Sequence, residues 1–326
     1  MALESQHRAS PYTGKGAGVA RRRAKRLRRA LMAVGVVCAA VLTLGCGSSG
    51  ETVSGAAFAA AGRVSESAFS PEQAEGGPGG LIDTSHLSEG YVSASATSSA
   101  RLKFQVTSGE QSYNYDLPSD GTPIACPLNM GDGSYQFRVM RNTEGTSYVE
   151  VASTTAQVQL ASEFEPFLHP NVFCDYNEGS ACVAKARELV ANASNQGEAV
   201  KNICTYVIDN TSYDKDKAAE LKDATGYVPN PDDTLASRTG ICFDYASLGC
   251  AMLRSVGIPC RLTCGYVSPG DIYHAWILVY IDGTWKTVKF TVDPNTWSRV
   301  DLTFAAASDA EAFVGDGKTY TVRYVY

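Results

Sequence analysis

Apolar and polar positions alternate along residues 97–160. Leu102, Phe104 and Val106 fall on one side of an extended chain. Tyr135, Phe137 and Val139 repeat the period of two, and Tyr148, Glu150 and Ala152 repeat it less cleanly. Turn-forming runs separate these stretches at Pro118-Ser119-Asp120-Gly121, Gly131-Asp132-Gly133 and Asn142-Thr143-Glu144-Gly145. The pattern predicts a small antiparallel β domain over residues 97–171. Core packing is the ordinary use of its aromatic residues.

The period then lengthens. Val200, Ile203, Cys204, Val207 and Ile208 trace the stripe of a helix that buries one face. Residues 181–193 predict a helix before it. Residues 243–256 predict one after it, stopped by Gly257 and Pro259. Between the last two lies a long polar loop, residues 210–239, of a length usually kept for a function. Strands are expected at 261–267, 275–281 and 285–292. Asp282-Gly283 is a hairpin turn between the last two, and residues 319–326 alternate as an edge strand. Helices followed by antiparallel strands make residues 172–326 an α+β domain, with helices packed on an antiparallel sheet.

The chain has 326 residues and is 44% hydrophobic, which is enough for a packed core plus tails. Its net charge of −6 hides an asymmetry, because nine of the 28 Lys/Arg lie in residues 1–30. Beyond residue 46 the chain carries 19 basic and 33 acidic groups, a surface that repels phosphate backbones and argues against nucleic-acid binding. The basic run from Arg21 to Arg29 precedes an uncharged apolar stretch, residues 30–45, that ends at Leu44-Gly45-Cys46. This resembles a bacterial lipoprotein signal in which Cys46 is lipidated. An uncleaved membrane anchor or ordinary secretion also fits residues 1–46. Each places the body at the extracytoplasmic side of the cell membrane. Residues 47–96, rich in Gly, Ser, Ala and Glu, read as a flexible tether.

Cys242 follows Gly240-Ile241 at the start of the third helix. His274 comes 32 residues later and Asp293 another 19 later. Thiol chemistry needs a nucleophile, a base that takes its proton and a group that orients the base. Unpaired N–H groups at a helix start favour thiolate over thiol. Gly240 leaves room there for a substrate backbone. His274 supplies the base and Asp293 the orienting carboxylate. The competing readings are an inert core cysteine, a histidine satisfied at a hairpin end, and an aspartate that forms a turn before Pro294. The Cys242 N–H and the Tyr213 hydroxyl are candidate oxyanion donors, with Asp244 and Trp276 as further substrate-contact candidates. Of the ten cysteines, Cys174 and Cys182 are close enough in sequence to bridge, and several others read as buried thiols. No paired Cys-x-x-Cys knuckles mark a metal site.

Five blocks resemble one family: Gly240-Ile241-Cys242-Phe243-Asp244-Tyr245-Ala246, Met252 to Pro259, Gly265-Tyr266-Val267, Tyr273-His274-Ala275-Trp276 and Val292-Asp293-Pro294. In this order they resemble the bacterial transglutaminase-like superfamily, over roughly residues 172–326. The resemblance implies a papain-like transglutaminase core with Cys242 as nucleophile, His274 as base and acid, and Asp293 as orienter. It implies no cofactor. It implies a protein or peptide substrate, and outside the cell a substrate associated with the cell wall fits. Hydrolysis makes such an enzyme a cysteine peptidase or amidase, and transfer to a lysine makes it a cross-linking protein-glutamine gamma-glutamyltransferase. A non-catalytic surface binding protein and a structural anchor are the readings outside enzyme chemistry.

Overall fold

Short strands come first among the described residues. The computed structural model describes residues 56–222, 224–267, 272–281, 283–288 and 320–326. Strands β1 (Glu75–Gly77), β2 (Gly80–Asp83), β3 (Tyr91–Ser95), β4 (Leu102–Ser108), β5 (Gln111–Leu117), β6 (Ile124–Pro127), β7 (Gly133–Glu144) and β8 (Ser147–Val158) build two antiparallel four-stranded sheets, ordered β1-β2-β3-β6 and β5-β4-β7-β8. The alternation read from the sequence sets the register. Phe104 lies opposite Val139 and Val106 opposite Phe137, and all four are buried. At the β7–β8 hairpin Gly145 takes a φ of 53°, the left-handed geometry the turn run anticipates.

The tether reading fails within its described part. β2 and β3 lie inside residues 47–96 and bury Ile82, Val92 and Ala94. Asp83 is also buried, and its carboxylate accepts the Ser70 N–H at 2.7 Å and the Ser85 N–H at 2.9 Å. A polar, small-residue composition here encodes short strands with satisfied polar groups rather than open coil. Cys46 and the rest of residues 1–55 lie outside the described residues.

The helical part begins with α1 (Ala181–Val190) and α2 (Gln196–Asn210), and the α2 stripe buries Val200, Ile203, Cys204 and Val207 as expected. The 210–239 stretch is not an open loop. It holds β9 (Ser212–Tyr213), α3 (Lys215–Glu220), α4 (Pro231–Ser237) and the first residue of β10 (Thr239–Gly240), which pairs in parallel with β9. Two side chains start its helices. Asp214 accepts the Lys217 N–H at 2.8 Å, and Asn230 accepts from Asp232 and Asp233 at 2.9 and 3.1 Å.

Helix α5 (Cys242–Ser255) is buried at every position from Phe243 to Ser255. It packs on β11 (Cys260–Val267) and β12 (Ile272–Ile281), which with β13 (Thr284–Val288) and β14 (Tyr320–Val325) form an antiparallel sheet ordered β13-β12-β11-β14. The fold is therefore the expected α+β class, with β14 at the edge. An aromatic cluster joins the two regions: Tyr115 lies 6.0 Å from Phe173, which lies 4.6 Å from Tyr326 and 5.5 Å from Phe243. Among the described residues no helix is long and apolar enough to cross a membrane.

The far end of α5 is held by Arg254, 1% exposed. Its guanidinium donates to the carbonyls of Cys260 (2.8 Å), His169 (2.6 Å) and Tyr326 (2.8 Å). One side chain thus ties helix, sheet and the preceding linker. Arg254→Met fills similar volume but strips donors from buried carbonyls. It should cost about 3–5 kcal/mol in urea unfolding followed by tryptophan fluorescence. An unchanged midpoint would contradict this role.

Candidate active site

Cys242 is the first residue of α5, and its placement is determined by what surrounds the helix start. Asp244, the third helical residue, turns back so that its carboxylate accepts the Ile241 N–H at 2.7 Å. The same oxygen accepts Lys217 Nζ at 2.8 Å, and the other accepts the Tyr227 hydroxyl. Asp244 is completely buried and engaged by three donors, so it shapes the helix start and does not face a substrate. Gly240 is likewise reassigned. A Cβ there would sit 2.6 Å from Asp244 Cβ and 2.9 Å from its Oδ2, so the room the glycine leaves belongs to Asp244 and not to a substrate backbone.

The Cys242 thiol is half-buried and reaches β12 through the Ala275 N–H. His274 is the next residue back along β12, about 3.8 Å away by Cα. It is half-buried and pairs in register with Gly265. Its ring stacks near Trp276 at 6.4 Å and 18°. Trp276 is itself 1% exposed, so it forms a wall beside His274 and not a surface a substrate reaches. Tyr213 on β9 is half-buried, and the nearby Cys242 adds to the effect of burial in raising its phenol. The structure therefore gathers Cys242, Tyr213 and the His274–Ala275 step at one place. Asp293 lies outside the described residues.

Two opposing effects decide the charge state. Burial pushes the Cys242 thiol up to about 11, and the Asp244 charge adds to the rise, while the N–H groups of Ala275, Phe243 and Cys242 pull it down. Burial depresses His274 to about 4. These shifts leave the thiol and the imidazole each neutral near pH 7. At this helix start desolvation outweighs the N–H groups that favour a thiolate.

All eight described cysteines are free, so Cys174 and Cys182 form no bridge, and seven of the eight are fully buried. Among the described residues no cluster of three or more His, Cys, Asp or Glu could hold a metal ion. Sequence reasoning missed Lys217 and Tyr227, which no motif marks. It also missed the cap at Asn230, although Asn-Pro-Asp-Asp is a readable helix start.

The His274 shift has a consequence for stability. Its folded value of about 4 lies below the ordinary 6.5. Between those values the unfolded chain binds a proton that the folded chain does not. Stability supplied by neutral His274 is thus present above pH 6.5 and lost as pH falls towards 4. His274→Gln should flatten the fall in urea midpoint between pH 7 and pH 4.5. An equally steep fall would contradict the assignment.

Part of the chain is similar to known proteins. Residues 183–302 match the family model described as Transglutaminase-like superfamily, a span that includes Cys242, His274 and Asp293. A UPF0252 protein of Methanocaldococcus jannaschii is 28% identical over 152 residues, covering 42% of this chain and 42% of that protein. The kyphoscoliosis peptidase of Mus musculus is 30% identical over 114 residues, covering 32% of this chain and 17% of that one. The solved structure of red sea bream transglutaminase aligns at a TM-score of 0.30 and 11% identity, over 62% of this chain and 48% of that one. The matches span less than half the length of each of these three proteins.

Proposed function

We propose, from the premise that this chain carries a domain of the transglutaminase-like superfamily, that it is an extracytoplasmic thiol enzyme that hydrolyses amide bonds of proteins or peptides. The observation that supports the reading most is the position of Cys242. It is the one described cysteine that is not fully buried, and it opens a helix beside the strand step that carries His274.

The reaction needs few parts. The Cys242 sulfur attacks the amide carbon while its proton passes to the His274 ring. Starting from a neutral pair, proton transfer accompanies attack rather than preceding it. The Cys242 N–H and the Tyr213 hydroxyl donate to the oxyanion. Collapse breaks the C–N bond, and His274 returns the proton to the leaving amine. Water then attacks the thioester, His274 takes its proton, and a carboxylic acid leaves with the thiol restored. Asp293 orients the ring throughout.

The basic run at 21–29 and the apolar stretch ending at Cys46 support attachment to the cell membrane, through a lipid on Cys46 or a single N-terminal anchor. The substrates are then surface or cell-wall-associated proteins and peptides. Transfer to a lysine amine uses the same thioester and differs only in which nucleophile gains access. Mass spectrometry of a surface-protein digest incubated with the wild type and with Cys242→Ala tests the reading. New peptide termini that depend on Cys242 are the expected result. Gln–Lys isopeptides in their place would make the enzyme a transferase, and identical digests would overturn enzyme function.

A further inference from the structure

We propose that Lys217, Asp244 and Tyr227 form a latch that positions Cys242, joining the segment between β9 and α4 to the start of α5 through one buried carboxylate. The catalytic meaning of the latch rests on the thiol-enzyme reading above, but its geometry does not.

A buried carboxylate must be neutralised and hydrogen-bonded to be tolerated. Asp244 is completely buried, and two of its three donors come from the same outer segment. Lys217 Nζ approaches one oxygen at 2.8 Å, and the Tyr227 hydroxyl donates to the other. Lys217 Nζ also lies 4.6 Å from the centre of the Tyr227 ring, so the two brace each other as well as the carboxylate. The third donor, the Ile241 N–H at 2.7 Å, belongs to the residue before Cys242. Pull on the latch is therefore pull on the peptide next to the nucleophile. The absence of a side chain at Gly240 is what lets Asp244 turn back so far.

The same segment carries the candidate oxyanion donor. β9 pairs in register with β10, Tyr213 opposite Gly240, and the Asp214 N–H donates to the Gly240 carbonyl at 3.0 Å. The Tyr245 hydroxyl adds a tie to the Thr211 carbonyl at 2.6 Å. The β9–β10 pairing thus holds Tyr213 beside the peptide before Cys242, next to the latch, and Lys217, Asp244 and Tyr227 are positioning residues.

The charges facing Cys242 make the latch measurable. Asp244 stands on its own helix, Tyr213 on β9, Cys264 on β11, and the Ala275 N–H with neighbouring His274 on β12. Lys217 is the cation paired with Asp244, at 2.8 Å. Removing it leaves the carboxylate two residues from the sulfur unopposed.

The experiment is the pH–rate profile of Cys242 carboxamidomethylation by iodoacetamide, read by peptide mass spectrometry on proteins that circular dichroism shows to be folded. Lys217→Met should move the profile upward by about one pH unit. Lys217→Arg should restore it, and Tyr227→Phe should produce a smaller upward shift. Asp244→Asn should move it downward. Because Asp244→Asn risks unfolding the helix start, the Lys217 and Tyr227 variants decide the matter. A folded Lys217→Met protein with the wild-type profile would overturn the latch, as would a shift that arginine does not reverse. No substrate is needed. A wild type that cleaves nothing, yet shows these shifts, would sink the proposed function and leave the latch standing.

Discussion

A helix buried along nearly its whole length must find partners for every polar atom inside the protein, and α5 imposes that demand on everything around it. From Phe243 to Ser255 no residue is exposed. Ser247 donates to the Phe173 carbonyl at 2.7 Å and Ser255 to the Met252 carbonyl at 2.8 Å. Asp244 draws in the outer segment at one end, while Arg254 gathers three carbonyls at the other. The sheet, the linker near His169 and the segment between β9 and α4 are arranged as the helix requires. Cys242 escapes full burial only because it is the first residue.

That position sets two physical effects against each other. Helix N–H groups and the Ala275 peptide favour a charged sulfur, and the loss of water opposes it. Here the loss of water prevails, with the thiol near 11 and the imidazole near 4. A neutral pair is less open to oxidation and metal capture than a thiolate. It also places the work of charge separation in the transition state, where oxyanion donors act.

Much of this was legible in the sequence, for reasons that differ by element. The alternation at Phe104 and Val106 and the stripe at Val200, Ile203 and Val207 reflect burial on one face, which periodicity reports directly. β2 and β3 were missed because strands of four and five residues, set among glycine and serine, are too short to show a period. The 210–239 stretch looked unstructured because its helices run to only six and seven residues and carry mostly polar side chains. Cys242 and His274 stood out because thiol and imidazole are scarce and sit at recognisable places. The role of Asp244 did not, since a carboxylate beside a cysteine reads equally well as a substrate contact. Only the positions of Lys217 and Tyr227, both more than fifteen residues earlier in the chain, tell the two apart.

The central claim is that burial at the start of α5 keeps Cys242 un-ionised at rest. Thiolate absorbance near 240 nm, recorded across pH for the folded protein and for Cys242→Ala and then subtracted, isolates this one group. The account predicts a difference step near pH 11, well above an ordinary thiol. A step completed below neutrality would mean that a thiolate–imidazolium pair already exists in the resting protein, and would contradict the claim.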